Sequence, residues 1–215
     1  MLLPTDRMPA AERKRPWYLV LALMGALALG MTGACSGWST VTLYREPIDS
    51  SVAAQGITDE ADRAAVSSRV DAYVRTLDGA KSRGWPLGVA TLLVGGAIVI
   101  FAMRALRGSE GARTALVQLV VAQAGLNAAS FWLMRDVFDA DLRVFEARQA
   151  AEIHERGPEK PRADEMSRTT AAMLRAANPI AVVLRTFGSA AVVVALTTRR
   201  SRAFFGASAA ALEER

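Results

Sequence analysis

Four uninterrupted apolar stretches alternate with polar segments: Trp17 to Gly37, Trp85 to Met103, Thr114 to Met134 and Ile180 to Thr198. Each has 19 to 21 residues, enough as a helix to cross a hydrocarbon core of about 30 Å. The first three contain no Asp, Glu, Lys or Arg, and the fourth contains only Arg185. The pattern predicts an all-α, polytopic membrane protein: a four-transmembrane-helix bundle with two helical outer loops.

The polar segments have helical periodicity of their own. In the first, Thr58 is placed to cap a helix with Asp59 and Glu60 in its first turn. Val66, Val70, Tyr73, Val74 and Leu77 then recur at helical spacing. Lys81, Arg83 and Gly84 look like a stop, which predicts an amphipathic helix over 58–82. The stretch 39–57 is less regular, and Val41 to Tyr44 reads as extended. After the third span, Phe138, Leu142, Phe145 and Ile153 continue a helical stripe to about Arg156. Gly157, Pro158 and Pro161 predict a turn. Ala163, Met166, Thr170, Met173 and Ala177 form the next stripe, and Asn178–Pro179 predicts a break or kink before the fourth span.

The expected order is therefore an inner segment 1–16, a first span 17–37, an outer loop 38–84 and a second span 85–103. An inner loop 104–113, a third span 114–134, an outer helical hairpin 135–178, a fourth span 179–198 and an inner tail 199–215 complete it.

Composition sharpens this picture. The chain is 52% hydrophobic and 22% charged, so apolarity and charge are segregated along it. Segments 1–16, 104–113 and 199–215 hold 11 basic and 5 acidic residues, whereas 38–84 and 135–178 hold 14 basic and 16 acidic. Short Lys/Arg-rich segments stay in the cytoplasm, so both termini are expected there. Trp17, Tyr18, Trp38, Trp85, Trp132, Phe204 and Phe205 sit at span ends, where aromatic rings bridge apolar and polar surroundings. The Ala/Arg-rich composition is that of a high-GC bacterial chain, which makes the inner membrane the expected location. The net charge of +5 is spread along the span flanks and forms no basic domain, so nucleic acid is not an expected partner.

Candidate chemistry is sparse. One cysteine and one histidine exclude an internal disulfide framework and a His-rich metal site. Asp136, Asp139 and Asp141 lack the glycine and terminal glutamate of a calcium loop. Nucleophile elbows, Walker loops, zinc-protease motifs and dinucleotide fingerprints are absent. No enzyme activity and no cofactor are expected.

Three features remain. Arg185 lies about five residues into the fourth span, where a charge is costly and often functional. Snorkelling, or pairing with Asp136 or Asp139, is the structural alternative. Gln123, Asn127 and Ser130 share one face of the third span at i, i+4, i+7. They suit interhelical hydrogen bonds or, with Arg185, an intramembrane polar site. Small residues line the first span at Ala22, Ala26, Gly30, Ala34 and at Gly33 and Gly37, with Gly88 and Gly96 in the second. They allow close helix contact.

The basic start, the apolar stretch and Met31-Thr32-Gly33-Ala34-Cys35-Ser36 resemble a bacterial lipoprotein signal, with Thr32 where leucine is usual. That resemblance implies Cys35 as a lipidation site and cleavage before it, against a retained first span.

The expected function is a structural, accessory or interaction subunit that uses its spans and outer helices to bind a protein partner or a second copy in the lipid bilayer. An outer-side sensor working through a partner is one alternative. An oligomeric transporter or channel using the polar face of the third and fourth spans is another.

Overall fold

The computed structural model describes residues 16–46, 49, 52, 54–155, 157 and 160–213, the side chains of 160–164 and 207–213 excepted. Among the described residues all regular structure is helical: α1 (Trp17–Leu43), α2 (Glu60–Leu106), α3 (Glu110–Leu133), α4 (Arg135–Glu155), α5 (Lys160–Thr197) and α6 (Arg199–Glu213). Four of them, α1, α2, α3 and α5, are long and apolar enough to cross a bilayer. The basic N-terminal segment and Pro158 of the expected turn lie outside the described residues.

Helix ends follow local chemistry. Asp59, and not Thr58, caps α2: its Oδ1 accepts the N–H groups of Ala61 at 2.8 Å and Asp62 at 3.4 Å. Ser109 Oγ accepts the Ala112 N–H at the start of α3. Thr198 Oγ1 accepts the Ser201 N–H at the start of α6. Gly108, at φ +90°, turns the chain between α2 and α3 in a backbone conformation that side chains resist.

Two expected interruptions do not occur, and the break allowed for at Pro179 is absent. Val41 to Leu43 belong to α1 and are not extended. Gly84 does not stop α2, which runs for 47 residues through Pro86 into the apolar stretch. A glycine ends a helix by adopting a left-handed φ. Gly84 does not do so; its missing side chain instead makes room for the Tyr44 ring. Four residues on, Gly88 accepts Thr40 and Val41 against it in the same way. Tertiary cover thus outweighs the hydrogen bond lost at Pro86. Pro179 likewise lies inside α5 and does not break it.

The chain divides into two compact units. The first takes residues 1–35, 91–125 and 185–215. Its core is built from Leu19, Leu23 and Ala26 of α1, Ile98, Ala102 and Ala105 of α2, and Leu116 and Val120 of α3. Val192 and Leu196 of α5 and Phe205 of α6 close it. Phe205 is fully buried, so it is a core residue and not an interfacial anchor. Arg113 holds this end together: it donates to the Leu196 carbonyl at 3.2 Å and lies 5.9 Å from the Phe205 ring centre.

Glycine brings α1 and α2 together in the first unit. A side-chain carbon at Gly95 would lie 2.8 Å from the Gly30 carbonyl oxygen, and one at Gly30 would lie 2.8 Å from Ile98. Gly95 is thus the contact, whereas Gly96, singled out by the sequence, faces open space.

The second unit takes residues 36–90 and 126–184. Here α4 packs against both α2 and α5. Arg83 pairs with Asp136 and His154 with Asp62 at 3.0 Å. Moving up α2 therefore means moving down α4, the register of antiparallel neighbours. Arg168 meets Glu146 and, seven residues on, Arg175 meets Asp139. That fixes α4 and α5 as an antiparallel pair. The unit also holds two small apolar clusters. One holds Ala54, Ile57, Val66, Val70 and Ala151, the other Tyr44, Leu77, Ala80 and Val137.

Candidate functional site

The residues singled out by sequence pattern are scattered. Gln123 is buried in the first unit, its amide against Gly33, where a side-chain carbon would lie 2.6 Å from Nε2. Its Oε1 has no hydrogen-bond partner among the described residues. Asn127 and Ser130 are half-buried and belong to the second unit. The Ser130 carbonyl accepts the Met134 N–H where α3 gives way to α4. Arg185 belongs to the first unit and is exposed. Its guanidinium makes no hydrogen bond or ion pair among the described residues. The carboxylates offered as its partners are engaged within the second unit, Asp136 by Arg83 and Asp139 by Arg175. Cys35 is exposed, with two more turns of α1 following it.

The second unit contains a site that no local pattern announced. A cleft of about 360 Å3 opens between α2, α4 and α5, lined by Arg69, Arg143, Glu146, Ala147, Ala150, Ser167, Arg168 and Arg175. Arg143, Glu146, Ala147 and Ala150 follow i, i+3, i+4, i+7 and so share one face of α4. Arg168 and Arg175 lie two turns apart on α5. Small side chains at Ala147, Ala150 and buried Ser167 leave the floor open, while the long arginines stand around it. The volume lies in the range of ligand pockets, about 300–1,000 Å3.

Charge in the cleft is unbalanced. Among the described residues four arginines face one carboxylate. Arg168 reaches Glu146 only at 3.9 Å, and Arg175 reaches Asp139, outside the lining, at 3.7 Å. These are long, exposed pairs of small worth. Arg69 and Arg143 have no carboxylate partner among the described residues. A second hollow of about 210 Å3 lies between α3, α4 and α5, lined by Phe131, Arg135, Phe138, Asp139, Arg175, Asn178 and Pro179. Arg175 borders both, so the groove grades from arginine-rich to aromatic.

The rest of the unit is electrostatically ordinary by comparison. Partial burial, helped by the Asp141 charge, pushes the Tyr73 hydroxyl up to about 12. Burial also raises the Tyr44 hydroxyl, whose oxygen lies 3.9 Å from Met134 Sδ. Glu155 is held below its usual range because its Oε1 accepts the Thr58 N–H at 2.5 Å and the Thr58 hydroxyl at 2.8 Å.

Comparison of the chain with family models, with curated proteins and with solved structures gave no match in any of the three.

Proposed function

We propose that this chain is an integral membrane protein with four spans and both termini in the cytoplasm, a bacterial inner-membrane subunit that works by binding other proteins. The exposed apolar surface supports the membrane part. Leu21, Met24 and Met31 of α1, Leu93 and Ile100 of α2, Val121 of α3 and Phe187 and Val194 of α5 all remain outward after the helices have packed. Water disfavours such a surface and lipid does not. The distribution of arginine and lysine supports the orientation.

One observation carries the interaction reading. From Pro179 to Gly188, α5 is open on nearly every face, and Ile180, Val183, Leu184 and Phe187 are each more than half exposed. Only 17% of its most apolar window is buried within the chain. Arg185 sits in the middle of this segment. An ionised side chain on a lipid-facing helix carries a penalty of several kcal/mol unless it reaches the interface or meets a carboxylate. A partner helix that supplies both apolar cover and an acidic group satisfies the whole segment.

A photo-crosslinking residue placed at Leu184 or Phe187 tests this in native membranes. Discrete protein adducts that disappear with Arg185→Leu are expected. Adducts to lipid alone would refute it.

The retained first span belongs to the same proposal. Leu19, Leu23 and Ala26 supply one wall of the first unit's core, and cleavage before Cys35 would remove all three. Intact-mass measurement checks this: a mass that includes α1 is expected, and a diacylglyceryl-modified Cys35 at the N-terminus would overturn it.

The arginine cleft favours a second reading, an outer-side sensor. Ligand bound there would bridge α2 and α5, both of which continue into apolar spans, and a partner would carry the signal. Its test is whether cleft substitutions change a downstream response while leaving the crosslinked partners in place.

A further inference from the structure

The cleft between α2, α4 and α5 has a chemistry specific enough to name a ligand class. Its lining brings four guanidinium groups from three helices around a floor of alanine and serine. The outer segments as a whole carry more acid than base, so this concentration of arginine is local and not a reflection of bulk composition. Among the described residues only one of the lining is acidic. Both ion pairs that restrain the arginines are long and exposed, and an incoming anion can replace them at small cost. Arg69 and Arg143 need not be released from any described carboxylate.

Guanidinium groups prefer planar, two-oxygen acceptors and hold phosphate through paired N–H donors. A single carboxylate ligand would use only one fork. A phosphate presents three or more oxygens and can be approached from several sides. Arg69 on α2, Arg143 on α4 and Arg168 and Arg175 on α5 surround the cleft in that way. The neighbouring hollow adds Phe131, Phe138 and Pro179 beside Arg175, an apolar shelf next to the charged end.

We propose that this cleft binds a phosphate group, held by Arg69 and Arg143 with Arg168 and Arg175 closing on it. Two sources share that chemistry: the headgroup of an anionic phospholipid, with its glycerol end toward the aromatic hollow, or a soluble phosphate compound. The inference goes beyond the accessory reading and does not depend on it. Binding is a property of the second unit, whether or not α5 meets a partner.

The test uses the full chain in phosphatidylcholine nanodiscs. In one arm, inorganic phosphate and pyrophosphate are titrated calorimetrically. In the other, phosphatidylglycerol is mixed into the nanodiscs and its retention is read by native mass spectrometry. Arg69→Gln/Arg143→Gln is compared with Arg75→Gln/Arg148→Gln, which removes the same charge away from the cleft. Arg143→Lys is added because it keeps the charge and removes the fork.

Binding in at least one arm is expected, weakened about tenfold or more by the cleft pair and several-fold by Arg143→Lys. The control pair should stay within about twofold. The arm that responds identifies the source. No binding in either arm would overturn the proposal, as would equal weakening by the control pair. Should the cleft pair fail to fold, Arg143→Lys decides alone: unchanged binding counts against the cleft.

Discussion

At the scale of single residues, glycine and glutamine set the packing of the first unit. Gly95 touches the α1 backbone, and a side-chain carbon there has nowhere to go because backbone cannot rotate aside. Overpacking of this kind costs about 1–3 kcal/mol. Gly95→Val should lower the thermal midpoint by several degrees, whereas Gly96→Val, with open space beside it, should leave it nearly unchanged. A thermal melt of the purified variants in one detergent distinguishes them. The same unit buries the Gln123 carbonyl oxygen without a partner among the described residues, and an unpaired buried acceptor costs about 1–3 kcal/mol. Gln123→Leu should therefore keep or raise the midpoint. A marked drop would mean that the oxygen has a partner, as a polar path through the third span requires. Sequence pattern found Gln123 but chose Gly96 over Gly95. The spacing of small residues shows which positions permit close approach, not which one the partner helix crosses.

Among elements, the four apolar stretches were legible as helices and the helix ends were not. Uniform apolarity over about 20 residues is a property of the chain alone, and all four stretches are helical. Whether Gly84 stops a helix depends on Tyr44, forty residues away, and α5 runs on through Pro179 although the chain there is exposed. The cap at the start of α2 shows the same limit. Thr58 and Asp59 both suit the role; Asp59 takes it, while Thr58 donates its N–H and its hydroxyl to Glu155 of α4. This tie between α2 and α4 gives a pH dependence. Glu155 is held below its ordinary 4.5, so its contribution to stability is fully present above that value and is lost as pH falls through the lowered one. Wild-type thermal midpoints should decline on acidification below 4.5, and Glu155→Gln should remove that part of the decline. An identical acid profile for the two proteins would show that the Thr58 tie carries no linkage.

For the molecule as a whole, the arrangement separates apolar packing from polar chemistry. The first unit is held by leucine, isoleucine, alanine and glycine contacts. The second is tied by ion pairs between α2, α4 and α5 and holds the arginine cleft. The cleft was invisible in the sequence because Arg69 is more than seventy residues from Arg143 and about a hundred from Arg168. None of the four arginines stands out from the other basic residues in its segment. Only the antiparallel register of α4 with its two neighbours assembles them.

The proposal that most needs testing is that the chain crosses the bilayer four times, with segments 38–84 and 135–178 on one side and both termini on the other. Single cysteines at Gln55, Arg107, Arg148 and Ser208, in a Cys35→Ala background, test it most directly with a membrane-impermeant maleimide. Labelling of Gln55→Cys and Arg148→Cys is expected on intact spheroplasts, and of Arg107→Cys and Ser208→Cys only after permeabilisation. Labelling of Arg107→Cys from outside, or protection of Arg148→Cys, would contradict it.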